Sequence, residues 1–174
     1  MNRKRLCDIV EFSLGDNPSR IKDSEANFYT QEDLMEDLSG INDTISDPKC
    51  VINLMRSNAA PLSKQTAKKK ITSNFLHCSL SPEFLDPWFF CYQFNEGREI
   101  KQQINMYSQG TVLSVKRLNT QMIGDMQITL PDMKKQKQIG ALYKNAIRQY
   151  NLSYKQAEDM KTMTLAIIRK IEED

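Results

Sequence analysis

The pattern of apolar and polar positions divides the chain into a body of strands and short helices followed by one long helix. Apolar and polar side chains alternate over residues 126–130, which is typical of a strand, and Pro131 prevents that strand from continuing. Asp132 then follows as a helix N-cap. We therefore predict a mixed α/β (α+β) body over residues 1–131 and one long helix of the coiled-coil type over residues 132–174.

The long helix carries an apolar stripe along one side. From Asp132 to Glu172 the chain has no proline, and its single glycine is Gly140. Apolar side chains recur there at alternating spacings of four and three, the pattern of a coiled-coil seam. A helix of this length, at about 1.5 Å per residue, spans about 60 Å, so the body cannot cover it and the stripe needs a partner helix. The candidate dimerisation residues are Ile139, Tyr143, Ala146, Tyr150, Ala157, Met160, Ile167 and Ile171.

Two segments in the middle of the chain have the composition and length of strands. Residues 50–55 form an apolar run, and residues 71–78 include alternating apolar side chains. We predict a strand in each of them. The segment between them begins with residues 56–61, whose serine, asparagine and proline indicate that the chain leaves the sheet there.

Capping residues mark the short helices of the body. Thr30 is followed three positions later by Asp33, which predicts a capped helix start. Asp86 precedes a proline and an aromatic-rich run, which predicts a second helix with proline in its first position. A third helix is expected over residues 98–107, with Tyr107 among its inward-facing side chains.

The composition is that of an ordinary globular protein, with 40% apolar and 26% charged residues. The sequence contains no apolar run of about 18 residues, so we expect no membrane span. The N-terminal residues include basic side chains but no apolar segment of the kind found in secretory signals. We therefore expect a cytoplasmic protein.

The sequence contains no recognisable set of catalytic or metal-binding residues. Its four cysteines lack the C-x-x-C spacing of zinc sites, so we interpret them as reduced and mostly buried thiols. The single histidine and the absence of a glycine-rich phosphate loop argue against acyl transfer and nucleotide chemistry. The segment 86–89, DPWF, is similar to the base-binding motif of adenine methyltransferases, but tryptophan replaces its second proline. We predict no catalytic residue, no metal and no cofactor.

The charges are distributed unevenly along the chain. Residues 1–50 have six Lys/Arg and eleven Asp/Glu, a net charge of −5, whereas residues 51–117 have nine and four, a net charge of +5. Residues 118–174 have nine and seven, which gives +2. A basic middle in a nearly neutral chain indicates a local surface for an anion, although ordinary variation of surface charge remains an alternative.

DNA is an anion that suits this basic region. Lysine and arginine bind phosphates, and arginine, asparagine and serine can also reach base edges in the major groove. Residues 56–74 hold the densest set of such side chains, and residues 116–117 hold a second set. For each of these residues a purely solvated role remains the alternative. The candidates are Arg56, Ser57, Asn58, Lys64, Lys68, Lys69, Lys70, Asn74, Lys116 and Arg117.

Both ends of the body resemble the specificity subunits of type I restriction–modification systems. Their target-recognition domains close with a Gly-Ser/Thr turn, a short strand, a Leu-Pro step and an E/K-x-Q-x-x-I helix start. Here Gly110-Thr111 is followed by QITLPDMKKQKQIG over residues 127–140. The segment 6–20, LCDIVEFSLGDNPSR, is similar to the family's opening L-x-D-I…G-x-x-P-S-R. The resemblance spans residues 6–171.

This resemblance implies a division of labour among subunits. Family members normally carry two recognition domains and two antiparallel helices, and this chain has one of each. It would read one half of a split site in double-stranded DNA, with Arg20 in the DNA-facing opening loop. An adenine-methyltransferase subunit would dock on it, and a restriction subunit could join. The chain would pair with a second copy or with another specificity chain, or it would be a relic.

An interaction module is the alternative interpretation. In that case the long helix would occupy another specificity or methyltransferase subunit without any reading of DNA. The two interpretations differ in whether the assembled complex selects a DNA sequence.

Overall fold

The computed structural model describes residues 2–17, 27–42, 44–45, 47–109 and 117–173. It confirms a mixed α/β body followed by one long helix. The strands are β1 (Asn2–Arg5), β2 (Val10–Leu14), β3 (Lys49–Asn53), β4 (Asn58–Pro61), β5 (Phe75–Leu80) and β6 (Gln127–Leu130). The helices are α1 (Gln31–Leu38), α2 (Pro87–Asn95), α3 (Arg98–Gln109), α4 (Thr120–Asp125) and α5 (Met133–Glu173), and a 3-10 turn spans Leu6–Asp8.

The strands form two antiparallel sheets. The larger sheet has the order β2-β5-β3-β4, and the smaller one pairs β1 with β6. Strand β1 has the sequence NRKR and shows no apolar alternation, so the sequence pattern did not predict it. Its pairing with β6, from Asn2 opposite Leu130 to Arg5 opposite Gln127, comes from backbone hydrogen bonding rather than from burial.

The prediction that residues 56–61 leave the sheet was wrong. The chain turns over residues 54–57 and returns as β4, the edge strand beside β3. Ala59 and Ala60 are fully buried, and the outward backbone groups of Ala59 are satisfied by Asn95 of α2, at 2.7 Å and 2.8 Å. Alanine carries little strand signal, and only the helix packed above the edge reveals why this short strand is stable.

The predicted helix starts are confirmed, but one side chain predicted to face inward is exposed. Thr30 and Asp33 form a reciprocal capping box at α1, and Asp86 caps α2 by accepting from the Phe89 N–H at 2.9 Å. Tyr107 was expected to face inward in α3 but is 39% exposed. The reason is that α3 packs on the body through Ile100 and Ile104, whereas residues 105–107 are exposed.

Helix α5 is fixed to the body near its start. The buried Gln136 side chain donates to the Phe84 and Pro131 carbonyls at 2.9 Å and 3.0 Å and accepts from the Asp86 N–H at 3.1 Å. One turn later, a Cβ on Gly140 would lie 2.6 Å from the Asp86 Oδ1, so only glycine allows this close approach to α2.

The apolar stripe of α5 therefore has two parts, which corrects the prediction of one continuous exposed seam. Ile139 and Tyr143 pack against the chain's own core, where the Tyr143 ring contacts Trp88 and Tyr92 with centroid distances of 6.4 Å and 5.5 Å. These two residues are partly buried against the body, and their part in dimerisation stays a prediction. The remainder of the stripe extends beyond the body.

Three of the four cysteines lie in the core. Cys50, Cys78 and Cys91 are fully buried, and the Cys50 and Cys91 sulfurs are 3.8 Å apart. All four are free thiols, with Cys7 exposed. Burial raises the pKa values of Cys78 and Cys91 well above that of an ordinary thiol, which keeps these groups neutral within the core.

Candidate nucleic-acid interface

The turn between β3 and β4 presents Arg56 to solvent. The Asn53 Oδ1 accepts from the Met55 and Arg56 N–H groups at 2.8 Å and 3.0 Å, and the Asn53 carbonyl accepts from the Ser57 N–H at 2.9 Å. Ser57 adopts a left-handed conformation with a φ of 53°. Arg56 is exposed and Ser57 is half-buried at the tip of the hairpin.

Two further segments join this turn at the same end of the larger sheet. The Leu54 N–H donates to the Asn74 carbonyl at 3.0 Å, and the Leu118 N–H donates to the Leu54 carbonyl at 3.0 Å. The Arg117 guanidinium donates to the Ser73 carbonyl. We call residues 54–57, 73–74 and 117–118 the hairpin end. It brings together the predicted residues Arg56, Ser57, Asn74 and Arg117, although they are far apart in the sequence.

The opening segment of the chain also reaches the hairpin end. The Ser73 N–H donates to the Asp16 carbonyl at 2.8 Å, and on either side of it the Gly15 and Asp16 N–H groups donate to the Phe75 and Ile71 carbonyls at 3.2 Å and 2.9 Å. A Cβ on Gly15 would lie 2.2 Å from the Thr72 carbonyl oxygen, so this crossing requires glycine. The predicted contacts Arg20 and Lys116, and the Gly110-Thr111 turn, lie outside the described residues.

A buried carboxylate anchors the basic loop of residues 63–70, here called the lysine loop. Asp37 is 2% exposed, and its Oδ2 accepts from the Thr66 hydroxyl at 2.6 Å and from the Tyr29 hydroxyl at 2.9 Å. Burial raises the pKa of Asp37, while hydrogen bonds from Ser63, Thr66 and Tyr29 oppose that rise. Sequence reasoning did not single out this anchor, because Asp37 is one of many acidic residues in its region.

Lys69 belongs to the structure of the loop rather than to its surface. Its ammonium lies 2.7 Å from the Asp33 Oδ1, and its side chain is only 24% exposed. Burial acts to raise the pKa of Asp33, but the hydrogen bonds from Lys69 and from Thr30 outweigh it and lower the pKa. The prediction of Lys69 as a phosphate contact is therefore corrected, since its charge is already paired in a largely buried position.

The other predicted residues of this region differ in their access to solvent. Lys64, Lys68 and Lys70 are exposed, and Lys64 and Lys70 also interact within the chain. Asn58 is half-buried at the start of β4, opposite Asn53, and its side-chain oxygen is enclosed. This oxygen is shielded from solvent, and Asn58 as a DNA contact stays a prediction.

The distal part of α5 offers a second surface. Every residue from 152 to 173 is exposed. Tyr150, Met160, Ile167 and Ile171 are between 53% and 69% exposed, a large apolar area for a single helix. Ala157 is exposed between Tyr150 and Met160, and Ala146 is exposed one turn before Tyr150.

Comparisons of the fold with solved structures point to one class of protein. The chain is similar to the HsdS subunit from Thermoanaerobacter tengcongensis, with a TM-score of 0.56 and 15% identity over 90% of this chain and 39% of that chain. The chain has the fold of a type I specificity subunit. It spans less than half of the solved chain's length.

Two more structures of type I restriction–modification systems share this specificity-subunit fold. One comes from work on complex assembly and conformational transition of a type I system, with a TM-score of 0.57 and 13% identity over 96% of this chain and 43% of that chain. The other is the S subunit from M. genitalium, with a TM-score of 0.52 and 13% identity over 94% and 43%. No protein-family model and no curated protein sequence matches the chain.

Within this specificity-subunit fold, sequence reasoning missed the residues that hold the hairpin end, the lysine loop and strand β4 in place. Asn53, Asp37 and Asn95 make these contacts from buried or half-buried positions. Asn53 alone had a local signal, because an asparagine at the start of a turn often accepts from the N–H groups that follow it. No described helix is long and apolar enough to cross a membrane.

Proposed function

We propose that this chain is a DNA-recognition subunit of a type I restriction–modification methyltransferase and that it reads one half of a split target site. The observation that carries the proposal is the specificity-subunit fold, which covers at least 90% of the chain in each of the three comparisons. The hairpin end supports it, because it gathers two arginines and an asparagine at one end of the larger sheet.

The residues of the hairpin end and of the lysine loop suit two kinds of DNA contact, to base edges and to phosphates. Arg56 can donate two hydrogen bonds to the O6 and N7 atoms of guanine, and Asn74 can pair in a similar way with adenine. Arg117 is held against the Ser73 carbonyl, and Lys68 is exposed on the lysine loop, so both suit phosphates. Phosphate contacts fix the register on the duplex, whereas base contacts select the sequence.

In this proposal the chain selects the DNA target sequence, and another subunit carries out the methyl transfer. An adenine-methyltransferase subunit docks on the chain and modifies an adenine within the target. A restriction subunit can join the same assembly. The described residues contain no cluster of three or more His, Cys, Asp or Glu side chains arranged to hold a metal ion.

Pairing through the distal part of α5 completes the proposal. An apolar seam from Tyr150 to Ile171 is exposed over more than 20 residues, an arrangement that monomers in water avoid. Two copies related by a two-fold axis would bury the two seams against each other and place one recognition domain at each end. The target would then be two inverted half-sites, with a spacing set by the helices.

Side-chain charges near the seam give self-pairing only partial support. In an antiparallel pair, Lys144 and Arg148 would face Glu158 and Asp159. However, the Lys144 ammonium lies over the Trp88 ring, 5.5 Å from its centroid, so Lys144 is held on the body. Pairing with a different specificity chain would give an asymmetric target, and the methylation pattern separates the two cases.

Co-expression with an adenine-methyltransferase subunit encoded beside the chain tests the function. Methylated adenines are then mapped across the host genome, with the methyltransferase subunit expressed alone as the control. We expect one recurrent two-part motif, made of inverted half-sites if the chain pairs with itself. An assembled complex that methylates no recurrent motif would refute DNA recognition and support the interaction-module alternative.

A further inference from the structure

The side chain of Asn53 is the centre of the hairpin end. Asn53 is the last residue of β3 and is 5% exposed. Its Oδ1 accepts from the Met55 and Arg56 N–H groups at 2.8 Å and 3.0 Å, and its Nδ2 donates to the Gln31 Oε1 at 2.6 Å. Both polar atoms of this buried amide are therefore hydrogen-bonded, one to the turn at residues 54–57 and the other to helix α1.

Gln31 ties the turn to a rigid element. It is the first residue of α1, whose start is fixed by the reciprocal hydrogen bonds between Thr30 and Asp33. The Asn53–Gln31 hydrogen bond thus links the turn to a capped helix rather than to solvent. This link keeps the backbone of Arg56 in one position relative to the sheet and to α1.

The turn needs this support because of Ser57. A serine in the left-handed region is less favourable than a glycine there, because its Cβ crowds the backbone. The Ser57 N–H donates to the Asn53 carbonyl at 2.9 Å, so the same residue also stabilises this conformation. A serine at a position that favours glycine indicates a functional role for its side chain.

We propose that Asn53 is a positioning residue for target-site reading. This inference rests on the proposed DNA-recognition function. Asn53 touches no DNA itself and acts through Arg56 and Ser57, whose direction it fixes. A bidentate arginine–guanine contact requires correct placement of both groups, so a loosened turn should alter which base is accepted.

Three variants separate positioning from a general structural role. Asn53→Ala removes the acceptor of two turn N–H groups and the donor to Gln31. Asn53→Asp keeps both acceptor bonds, and the Gln31 Nε2, which has no partner among the described residues, can rotate to donate to the new carboxylate. Asn105→Ala changes an exposed asparagine on α3, far from the turn in sequence, and serves as the matched control.

The experiment is methylation mapping of cells that express each variant with the methyltransferase subunit. We expect Asn53→Ala to lower methylation of the wild-type motif about tenfold, with relaxed selection at the same base position that Arg56→Ala relaxes. Asn53→Asp and Asn105→Ala should retain the motif. A merely structural role would lower methylation at every site without changing the motif.

Binding measurements on the purified complex complete the test. Fluorescence anisotropy with a 30-base-pair duplex of random sequence should give the same affinity and salt dependence for Asn53→Ala as for the wild type, because phosphate contacts are untouched. If Asn53→Ala does not assemble, Gln31→Ala is used instead, because it removes only the hydrogen bond between Asn53 and α1. The same two measurements then apply: the methylated motif and the affinity for random-sequence DNA.

The results distinguish failure of the inference from failure of the proposed function. A wild-type complex that methylates a recurrent motif, together with an Asn53→Ala complex that methylates the same motif equally well, overturns the inference alone. A wild-type complex that assembles but shows no recurrent motif overturns the proposed function and the inference together.

Discussion

The ammonium of Lys69 lies 2.7 Å from the Asp33 Oδ1, and this contact joins the lysine loop to the capping box of α1. Asp33 caps its own helix and also forms an ion pair with Lys69, which lies 36 residues later in the sequence. The three consecutive lysines of this loop are therefore not equivalent, and their substitutions should have different consequences.

Lys68 and Lys69 should separate DNA affinity from stability. Lys68→Ala should reduce the salt slope of DNA binding by about one, the change expected for one lost phosphate contact. It should change the free energy of unfolding by less than about 0.5 kcal/mol, because Lys68 is exposed. Lys69→Ala should lower the free energy of unfolding by about 1–3 kcal/mol, because it leaves a buried carboxylate without its cation.

Filter-binding titrations over a range of salt concentrations and urea unfolding of the same two proteins measure these effects. The two variants serve as controls for each other, because they remove the same side chain from adjacent positions. An unchanged salt slope for Lys68→Ala would exclude Lys68 as a phosphate contact. A Lys69→Ala protein as stable as the wild type would contradict the structural role of the Lys69–Asp33 pair.

Asp37 should make stability depend on pH in the direction opposite to an ordinary ion-paired carboxylate. Its pKa is raised in the folded state by burial, so the folded state binds a proton more readily than the unfolded state. Its contribution to stability is full below the unfolded pKa of 3.8 and is lost as the pH rises through the folded pKa. Above that pH the fold contains a buried charge.

The Asp37→Asn variant isolates this contribution. Asparagine still accepts from Tyr29 and Thr66 but does not ionise, so the variant should gain stability relative to the wild type as the pH rises from about 3.5 to 7.5. Urea unfolding of both proteins across this range measures the difference, in which the other titrating groups cancel. A constant difference at every pH would show that the pKa of Asp37 is the same in the folded and unfolded states, contrary to the effect of burial.

Gln136 should be far less tolerant of charge than its neighbour Gln138. Gln136→Glu loses the donor that serves the Phe84 and Pro131 carbonyls and places a carboxyl group in a buried position, which should cost about 2–4 kcal/mol. Gln138→Glu makes the same chemical change at an exposed position of the same helix and should cost less than about 0.5 kcal/mol. Thermal unfolding compares the two variants, and equal melting temperatures would contradict the anchoring role of Gln136.

The distal seam of α5 should control association. The double variant Tyr150→Lys/Met160→Lys puts two charges on the apolar seam and should convert a dimer to a monomer at micromolar concentration. The control, Thr162→Lys/Ala166→Lys, adds the same two charges on the opposite side of the helix and should leave the dimer intact. Sedimentation velocity distinguishes these states.

A second result of the same measurement bears on the two-fold arrangement. A wild-type chain that sediments as a monomer, and whose complex still selects its full DNA target, would exclude pairing between two copies. The interaction of α5 would then have to be sought on a different specificity chain.

The sequence by itself determined the elements whose signal is local. The capping box at Thr30 and the Asp86 cap before proline each lie within a few residues and predict a helix correctly. The uninterrupted periodicity after Asp132 repeats along a single segment and also predicts its helix correctly. The strand at residues 127–130 was equally clear, because alternation and a following proline need no distant partner. These local signals also carried the resemblance that pointed to the fold.

Tertiary structure alone decided the parts that depend on distant contacts. Strand β4 is stabilised because Asn95 forms hydrogen bonds with the outward backbone N–H and carbonyl of Ala59. No feature within residues 58–61 predicts that partner. Lys69 and Lys68 are indistinguishable in the sequence, and only the position of Asp33 determines which of them is exposed. In the same way, the place where the seam of α5 leaves the body depends on the fit of Gly140 against Asp86, because packing follows distances between elements rather than periodicity within one.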